Sequence, residues 1–252
     1  MTIVLARSGE DMEESSAVFE RAGFTVQKAP VLRIAPPESW DEVDQALREL
    51  DQFDGLVCTS ANGLRMLENR VRISGKSVRD RVIEMPTYVA GGPSAEVGRK
   101  LGFRTVLLPD VVDGVSLAAA MVRTVEKSSK ILQVRGDRAD RMLNDILTAE
   151  GFDVRDVIAY RTTVAAPIVC ERIGTECRSS SADVVLFFSP SSVEGLIACV
   201  GESWIRERKT IAIGQRTAAA LTAKDIAVAF VPSAPSVDEV ASYLQADEHH
   251  RY

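Results

Sequence analysis

Asp183-Val-Val-Leu-Phe-Phe-Ser-Pro-Ser-Ser-Val-Glu-Gly195 runs from unbroken apolar chain straight into a cluster of hydroxyls. Val184 to Phe188 reads as a strand covered on both faces, because a strand with one wet face alternates apolar and polar residues. Ser189, Ser191 and Ser192 then offer caps for a helix that continues through Val193 and Leu196. A polar turn at the carboxyl end of a buried strand is where open α/β sheets take their ligands. The phrase occurs twice, since Asp54-Gly-Leu-Val-Cys-Thr-Ser60-Ala-Asn62-Gly aligns with it. Two ligand-facing turns are therefore expected.

Other stretches repeat in the same order. Lys130-Ile-Leu-Gln-Val-Arg135-Gly136 matches the opening strand Ile3 to Arg7, and Tyr88-Val-Ala-Gly91-Gly-Pro-Ser94-Ala matches Thr210-Ile-Ala-Ile-Gly214-Gln-Arg-Thr217-Ala. Leu107-Leu-Pro109 corresponds to Phe230-Val-Pro232. An offset of 123 to 129 residues is too long for a solenoid and suits two similar α/β domains. Each is expected to hold a mostly parallel, doubly wound sheet of about five strands with helices on both faces. Capping boxes at Ser8-Gly-Glu-Asp11, Ser39-Trp-Asp-Glu42 and Ser236-Val-Asp-Glu239 mark helix starts. Pro36-Pro37 and Pro167 mark linkers.

Composition removes several function classes. A formal net charge of −6 argues against non-specific binding of nucleic acid or anionic membrane, which needs a basic field. Both histidines, His249 and His250, lie in a polar tail, so no histidine-based catalysis or metal site is expected in the core. Cys58, Cys170, Cys177 and Cys199 are scattered without C-x-x-C spacing, which predicts free thiols and neither a zinc site nor a disulfide framework. The chain opens on a strand instead of a leader peptide and contains no membrane-length apolar run, so a cytoplasmic protein is expected.

The turns share one property. Ser60, Gly91, Gly92, Ser189, Gly214 and Thr217 stand where small side chains expose backbone N–H groups at helix starts, which suits anions. Plain helix capping is the alternative for each of them taken singly. Neither G-x-x-x-x-G-K-[ST] nor G-x-G-x-x-G is present, so an organic polyanion fits better than a nucleotide. Arg7 and Arg135 end equivalent strands, with Arg138 and Arg141 beyond the second, and guanidinium groups pair carboxylates. Tyr160, near the end of an apolar strand, is either a packing residue or a phenol able to donate a proton.

The ordered set Thr59-Ser60-Ala-Asn62-Gly, Ala90-Gly91-Gly92-Pro-Ser94-Ala, Val134-Arg135-Gly136, Val157-Ile-Ala-Tyr160-Arg-Thr162, Phe187-Phe-Ser189-Pro-Ser191 and Ile213-Gly214-Gln-Arg-Thr217 resembles the uroporphyrinogen-III synthase family over residues 3 to 244. It departs from the family pattern at Gly92-Pro93, at Ser94 where threonine is common, and at Asn62. The resemblance implies a flavodoxin-like pair of domains joined by a two-stranded linker. Residues 1–35 would join 166–252, residues 38–163 would form the other domain, and the linkers would fall at 36–37 and 164–165. It implies closure of hydroxymethylbilane to uroporphyrinogen III without metal or cofactor, with Tyr160 as the catalytic residue. Substrate binding would fall to Arg7, Ser60, Asn62, Gly91, Gly92, Ser94, Arg135, Gly136, Ser189, Ser191, Ser192, Gly214 and Thr217. A monomer, receiving its linear tetrapyrrole by transient hand-over from hydroxymethylbilane synthase, would follow. The alternative from another class is a non-catalytic binding or regulatory protein for a small anionic ligand.

Overall fold

Two all-parallel sheets organise the computed structural model, which describes residues 1–9 and 12–249, the side chain of 249 excepted. The expected capping box at Ser8-Gly-Glu-Asp11 and the polar tail lie partly outside the described residues. The chain divides into one unit of Met1–Arg33 with Thr163–Tyr252 and another of Ile34–Thr162.

In the first unit β1 (Thr2–Ser8), β2 (Thr25–Ala35), β8 (Val184–Phe187) and β9 (Lys209–Ala212) pair in the order β2-β1-β8-β9, and Phe230 adds a single parallel bridge beyond Ile211. Alternate residues of β1 enter different cores. Val4 and Ala6 pack under α8 (Pro167–Ser179) and α9 (Pro190–Val200), while Ile3 and Leu5 pack with Phe19 of α1 (Met12–Arg21) and Leu244 of α12 (Val237–His249). Both faces are covered, which is why the strands read as continuous apolar runs.

The second unit repeats the plan. Here β3 (Gly55–Cys58), β4 (Thr87–Val89), β5 (Thr105–Val106), β6 (Lys130–Gly136) and β7 (Asp153–Val164) pair as β7-β6-β3-β4-β5. Leu56, Leu132 and Val134 face a core shared with α3 (Ala61–Ser74). Val57 and Ile131 face one shared with α6 (Gly114–Thr124) and α7 (Met142–Ala149). The chain is a doubly wound α/β protein in both halves. The repeat extends to an irregularity: the register of β1 on β2 steps from Arg7↔Pro30 to Ser8↔Leu32, and that of β6 on β7 from Arg135↔Ile158 to Gly136↔Tyr160.

Four local expectations change. Ser39 bonds the N–H of Asp41 at 3.0 Å instead of closing a box with Glu42, and Trp40 stands at the N-cap of α2 (Asp41–Arg48). Of the about five strands expected in each unit, one shrinks to Thr105–Val106 in the second unit and one to the single bridge at Phe230 in the first. Pro167, read as a linker, opens α8 at its first turn, where a missing N–H costs nothing. Cys170 and Cys199 form a disulfide and are not free thiols. Helices α8 and α9 lie side by side over one core and bring the two Cα atoms to 4.7 Å, within disulfide reach, across 29 residues of sequence that carry no spacing signal.

Candidate functional site

The strand-order reversal of the second unit lies between β6 and β3; β6 ends on Gly136, and the turn that leaves β3 carries Ser60. Ser60 caps α3 in extended conformation, its Oγ accepting the N–H of Gly63 at 3.1 Å. The same Oγ lies 2.9 Å from the phenol oxygen of Tyr160. Tyr160 is buried, at 9% exposure, and its ring lies against Gly136 so closely that a Cβ there would stand 2.5 Å from Cζ and 2.9 Å from Oη. Tyr160, Ser60 and Gly136, drawn from three separate stretches, thus form one constellation.

Arg135 points elsewhere. Its Nε donates to both oxygens of Asp156, at 2.7 and 2.9 Å, its Nη2 donates to one at 2.7 Å, and its Nη1 donates to the carbonyl of Gly136 at 3.0 Å. The hydrogen bonds of Asp156, the largest influence, raise the guanidinium's already high pKa, although burial opposes them. The guanidinium is therefore an internal ion pair bracing the bulge, with its charge offset. Asp156 carries no sequence signal as the partner of Arg135, because pairing across β6 and β7 is set by the sheet and not by local pattern. Arg138 and Arg141 are exposed in and just after the turn following β6.

The remaining positions of this unit lie at helix starts. Asn62, in the first turn of α3, accepts from Arg65 Nη1 at 2.8 Å through Oδ1. Gly91 caps α5 (Gly92–Leu101) at φ 86°, a left-handed value that favours glycine, and Gly92 and Ser94 follow in its first turn, with Ser94 buried.

In the first unit Arg7 donates to Ser15 Oγ and lies over the ring of Phe188, 4.2 Å from its centroid. Ser189 and Ser192 close a reciprocal capping box: Ser192 N donates to Ser189 Oγ at 3.1 Å, and Ser189 N donates to Ser192 Oγ at 3.1 Å. Ser192 also receives the N–H of Phe188 and is 0% exposed. The Ser192 hydroxyl is thus enclosed within the cap. Ser191 stays half-buried beside the cap. Gly214 caps α11 (Gln215–Thr222) in extended conformation, and Thr217, 3% exposed, donates its N–H to the Gly214 carbonyl at 3.1 Å. Thr217 is likewise enclosed.

Among the described residues no three His, Cys, Asp or Glu side chains gather as metal ligands would, and no helix is long and apolar enough to cross a membrane.

Two doubly wound parallel units, each with helix-capping turns beside its strand-order reversal, define an α/β protein of the carboxyl-edge binding class. The chain belongs to the uroporphyrinogen-III synthase family: the family model described as "Uroporphyrinogen-III synthase HemD" matches residues 13–242. It is 24% identical over 217 residues to the uroporphyrinogen-III synthase of Synechococcus elongatus, covering 84% of this chain and 81% of that one. It is 20% identical over 218 residues to the porphyrin biosynthesis protein HemD of Ruminiclostridium josui, covering 86% of this chain and 43% of that protein. The fold is shared with the crystal structure of uroporphyrinogen-III synthetase from Helicobacter pylori, at TM-score 0.69 and 16% identity over 98% and 99% of the two chains. It is shared also with a mutant uroporphyrinogen III synthase from Thermus thermophilus, at TM-score 0.60 and 20% identity over 99% and 98%.

Proposed function

We propose that this chain cyclises hydroxymethylbilane to uroporphyrinogen III, with inversion of ring D and loss of water, as a step of tetrapyrrole biosynthesis. The observation that carries the reading is the phenol of Tyr160, held 2.9 Å from Ser60 at the carboxyl edge of a family-matched parallel sheet. Tyr160 protonates the hydroxyl that leaves ring A, and water departs. The resulting azafulvene is attacked by ring D at its substituted carbon. The spiro intermediate then fragments, recloses in the inverted sense and loses a proton. Water is the only species lost and no electrons enter or leave, so the reaction balances without a redox cofactor.

The substrate carries eight carboxylates. With the charge of Arg135 offset by Asp156, backbone N–H groups at helix starts such as those of α3 and α5 are the natural receptors for them. Because the free bilane closes unaided to the uninverted isomer, holding one conformation and stabilising developing charge make up most of the task. That lability also favours direct hand-over from the enzyme that makes the bilane.

Incubation of the purified protein with freshly made hydroxymethylbilane, followed by separation of the I and III isomers, tests the reading. Enrichment of the III isomer above the unaided reaction is expected. Only the I isomer, together with saturable binding of bilane, would mark a binding protein instead.

A further inference from the structure

Among the described residues, large apolar side chains that face water are few, and three of them gather at one place on the second unit. Val112 is 69% exposed, Val115 38% and Met142 52%. Val115 lies in the first turn of α6 and Met142 opens α7. Helices α3, α6 and α7 each follow a strand of one parallel sheet, so each starts at its carboxyl edge and runs back towards the other. The Cα–Cβ bonds of a helix tilt towards its N-terminus, and side chains of the first turn therefore lean out past that edge.

The three helix starts are packed together. A Cβ on Gly114, the residue before Val115, would lie 3.6 Å from Thr59 Cγ2 and 3.8 Å from Leu143 Cβ. The first turn of α6 thus touches the residue before Ser60 on one side and the residue after Met142 on the other. Val111 is buried in one core with Leu117 and Leu143, which holds the loop carrying Val112 at the same point. The exposed group adjoins the turn whose Ser60 Oγ lies 2.9 Å from the Tyr160 phenol.

The charges beside it differ in what they can do. Asp113 Oδ1 accepts the N–H of Ser116 at 2.8 Å as the cap of α6, and Asp140 Oδ1 accepts that of Met142 at 3.3 Å, so both carboxylates are turned to helix starts. Arg141, next to Met142, is exposed. Apolar surface beside an exposed guanidinium suits an anion with a large apolar body. A chain of pyrrole rings edged with carboxylates has that chemistry.

We propose that Val112, Val115 and Met142 form a platform for the pyrrole ring faces of the bilane, with Arg141 beside it receiving a peripheral carboxylate. Backbone N–H groups can hold the carboxylates but do nothing for the rings, and a platform at the same edge helps to fix one conformation of the chain. The inference deepens the reading of this protein as a bilane cyclase and rests on it.

Val115→Thr and Met142→Gln nearly keep side-chain volume at exposed positions, so the urea midpoint should stay. Each should raise the KM for hydroxymethylbilane about three- to tenfold, the weight of roughly one or two buried CH₂ groups. Uroporphyrin III, with four pyrrole rings and eight carboxylates, gives a second readout by fluorescence anisotropy and should rank the variants alike. Salt should weaken binding in parallel for the wild type and these variants, whereas Arg141→Gln should flatten the dependence. Ile73→Thr, at a 77% exposed position at the far end of α3, should change nothing. Unchanged KM and uroporphyrin affinity in the folded Val115→Thr/Met142→Gln double variant overturn the platform, as does an equal loss in Ile73→Thr. A wild-type dimer in sedimentation that the double variant loses while tetrapyrrole binding is intact gives this face to a second copy and also overturns it. A wild type that forms no III isomer yet binds uroporphyrin defeats the cyclase reading, and the ranking of variants still decides the platform; one that binds no tetrapyrrole defeats both.

Discussion

Arg135 grips Asp156 through three N–H···O contacts of 2.7, 2.9 and 2.7 Å, joining neighbouring strands at the register step that precedes Tyr160. The two side chains are only 10% and 13% exposed. Removing one partner strands the other's charge in a poorly hydrated place, so Arg135→Ala should cost about 2–4 kcal/mol of stability. The Arg135→Ala/Asp156→Ala double variant should recover part of that loss. Urea denaturation of the three variants measures the coupling; strictly additive losses would mean that the pair contributes nothing as a pair.

Tyr160→Phe keeps the ring against Gly136 and removes only the hydroxyl. Formation of the III isomer, corrected for unaided closure to the I isomer, should fall roughly 10- to 100-fold, the lower part of the range for a general acid, since water or substrate carboxylates can substitute in part. Circular dichroism should match the unaltered protein. A full rate in the folded variant would make Tyr160 a packing residue.

Ser192 is enclosed and serves only the cap of α9. Ser192→Ala should therefore lower stability by about 1–2 kcal/mol, the loss of a cap plus an unmet Phe188 N–H, and leave KM unchanged. A raised KM at undiminished stability would return the hydroxyl to the binding surface.

The cysteines differ sharply in state. Burial pushes the Cys58 thiol up to about 12 and that of Cys177 up to about 11, so neither should react with a thiol reagent in the native protein at neutral pH. Unfolded without reductant, the chain should titrate two thiols, and with reductant all four. Cys170→Ser opens a loop spanning 29 residues and should lower stability by about 3–4 kcal/mol on chain-entropy grounds. Four thiols without reductant would contradict the disulfide.

Acid should weaken the second unit. A hydrogen bond from Arg70 first, and its charge after that, hold the Asp44 carboxyl below its ordinary 3.8. The backbone N–H and then the hydroxyl of Ser116 do the same for Asp113, the cap of α6. A depressed folded pKa gives stability that is complete above the unfolded value and lost as pH falls through the folded one. The urea midpoint should therefore drop as pH falls below about 5. Asp113→Asn keeps a capping acceptor that cannot titrate, so its midpoint should fall less steeply; identical slopes would show the Asp113 carboxylate to be inert.

Much of the fold was legible because it is written in local pattern. Val184 to Phe187 is apolar throughout because both its faces are covered, and Ser189 follows it as a cap because a helix start leaves N–H groups to satisfy. The matched phrases at Ser60 and Ser189 likewise announced two parallel α/β sheets before any contact was known. Tyr160 and Ser60 could each be named as candidates on sequence alone. That they touch could not, since 100 residues separate them and their meeting depends on a one-residue step in strand register. The regular pairing of β6 on β7 before that step lets Arg135 spend its hydrogen bonds on Asp156, and the packing of α8 on α9 decides that Cys170 finds Cys199. Periodicity and capping act within a few residues and leave their mark on the sequence. Register and helix packing set distances between remote side chains, and only the folded chain supplies them.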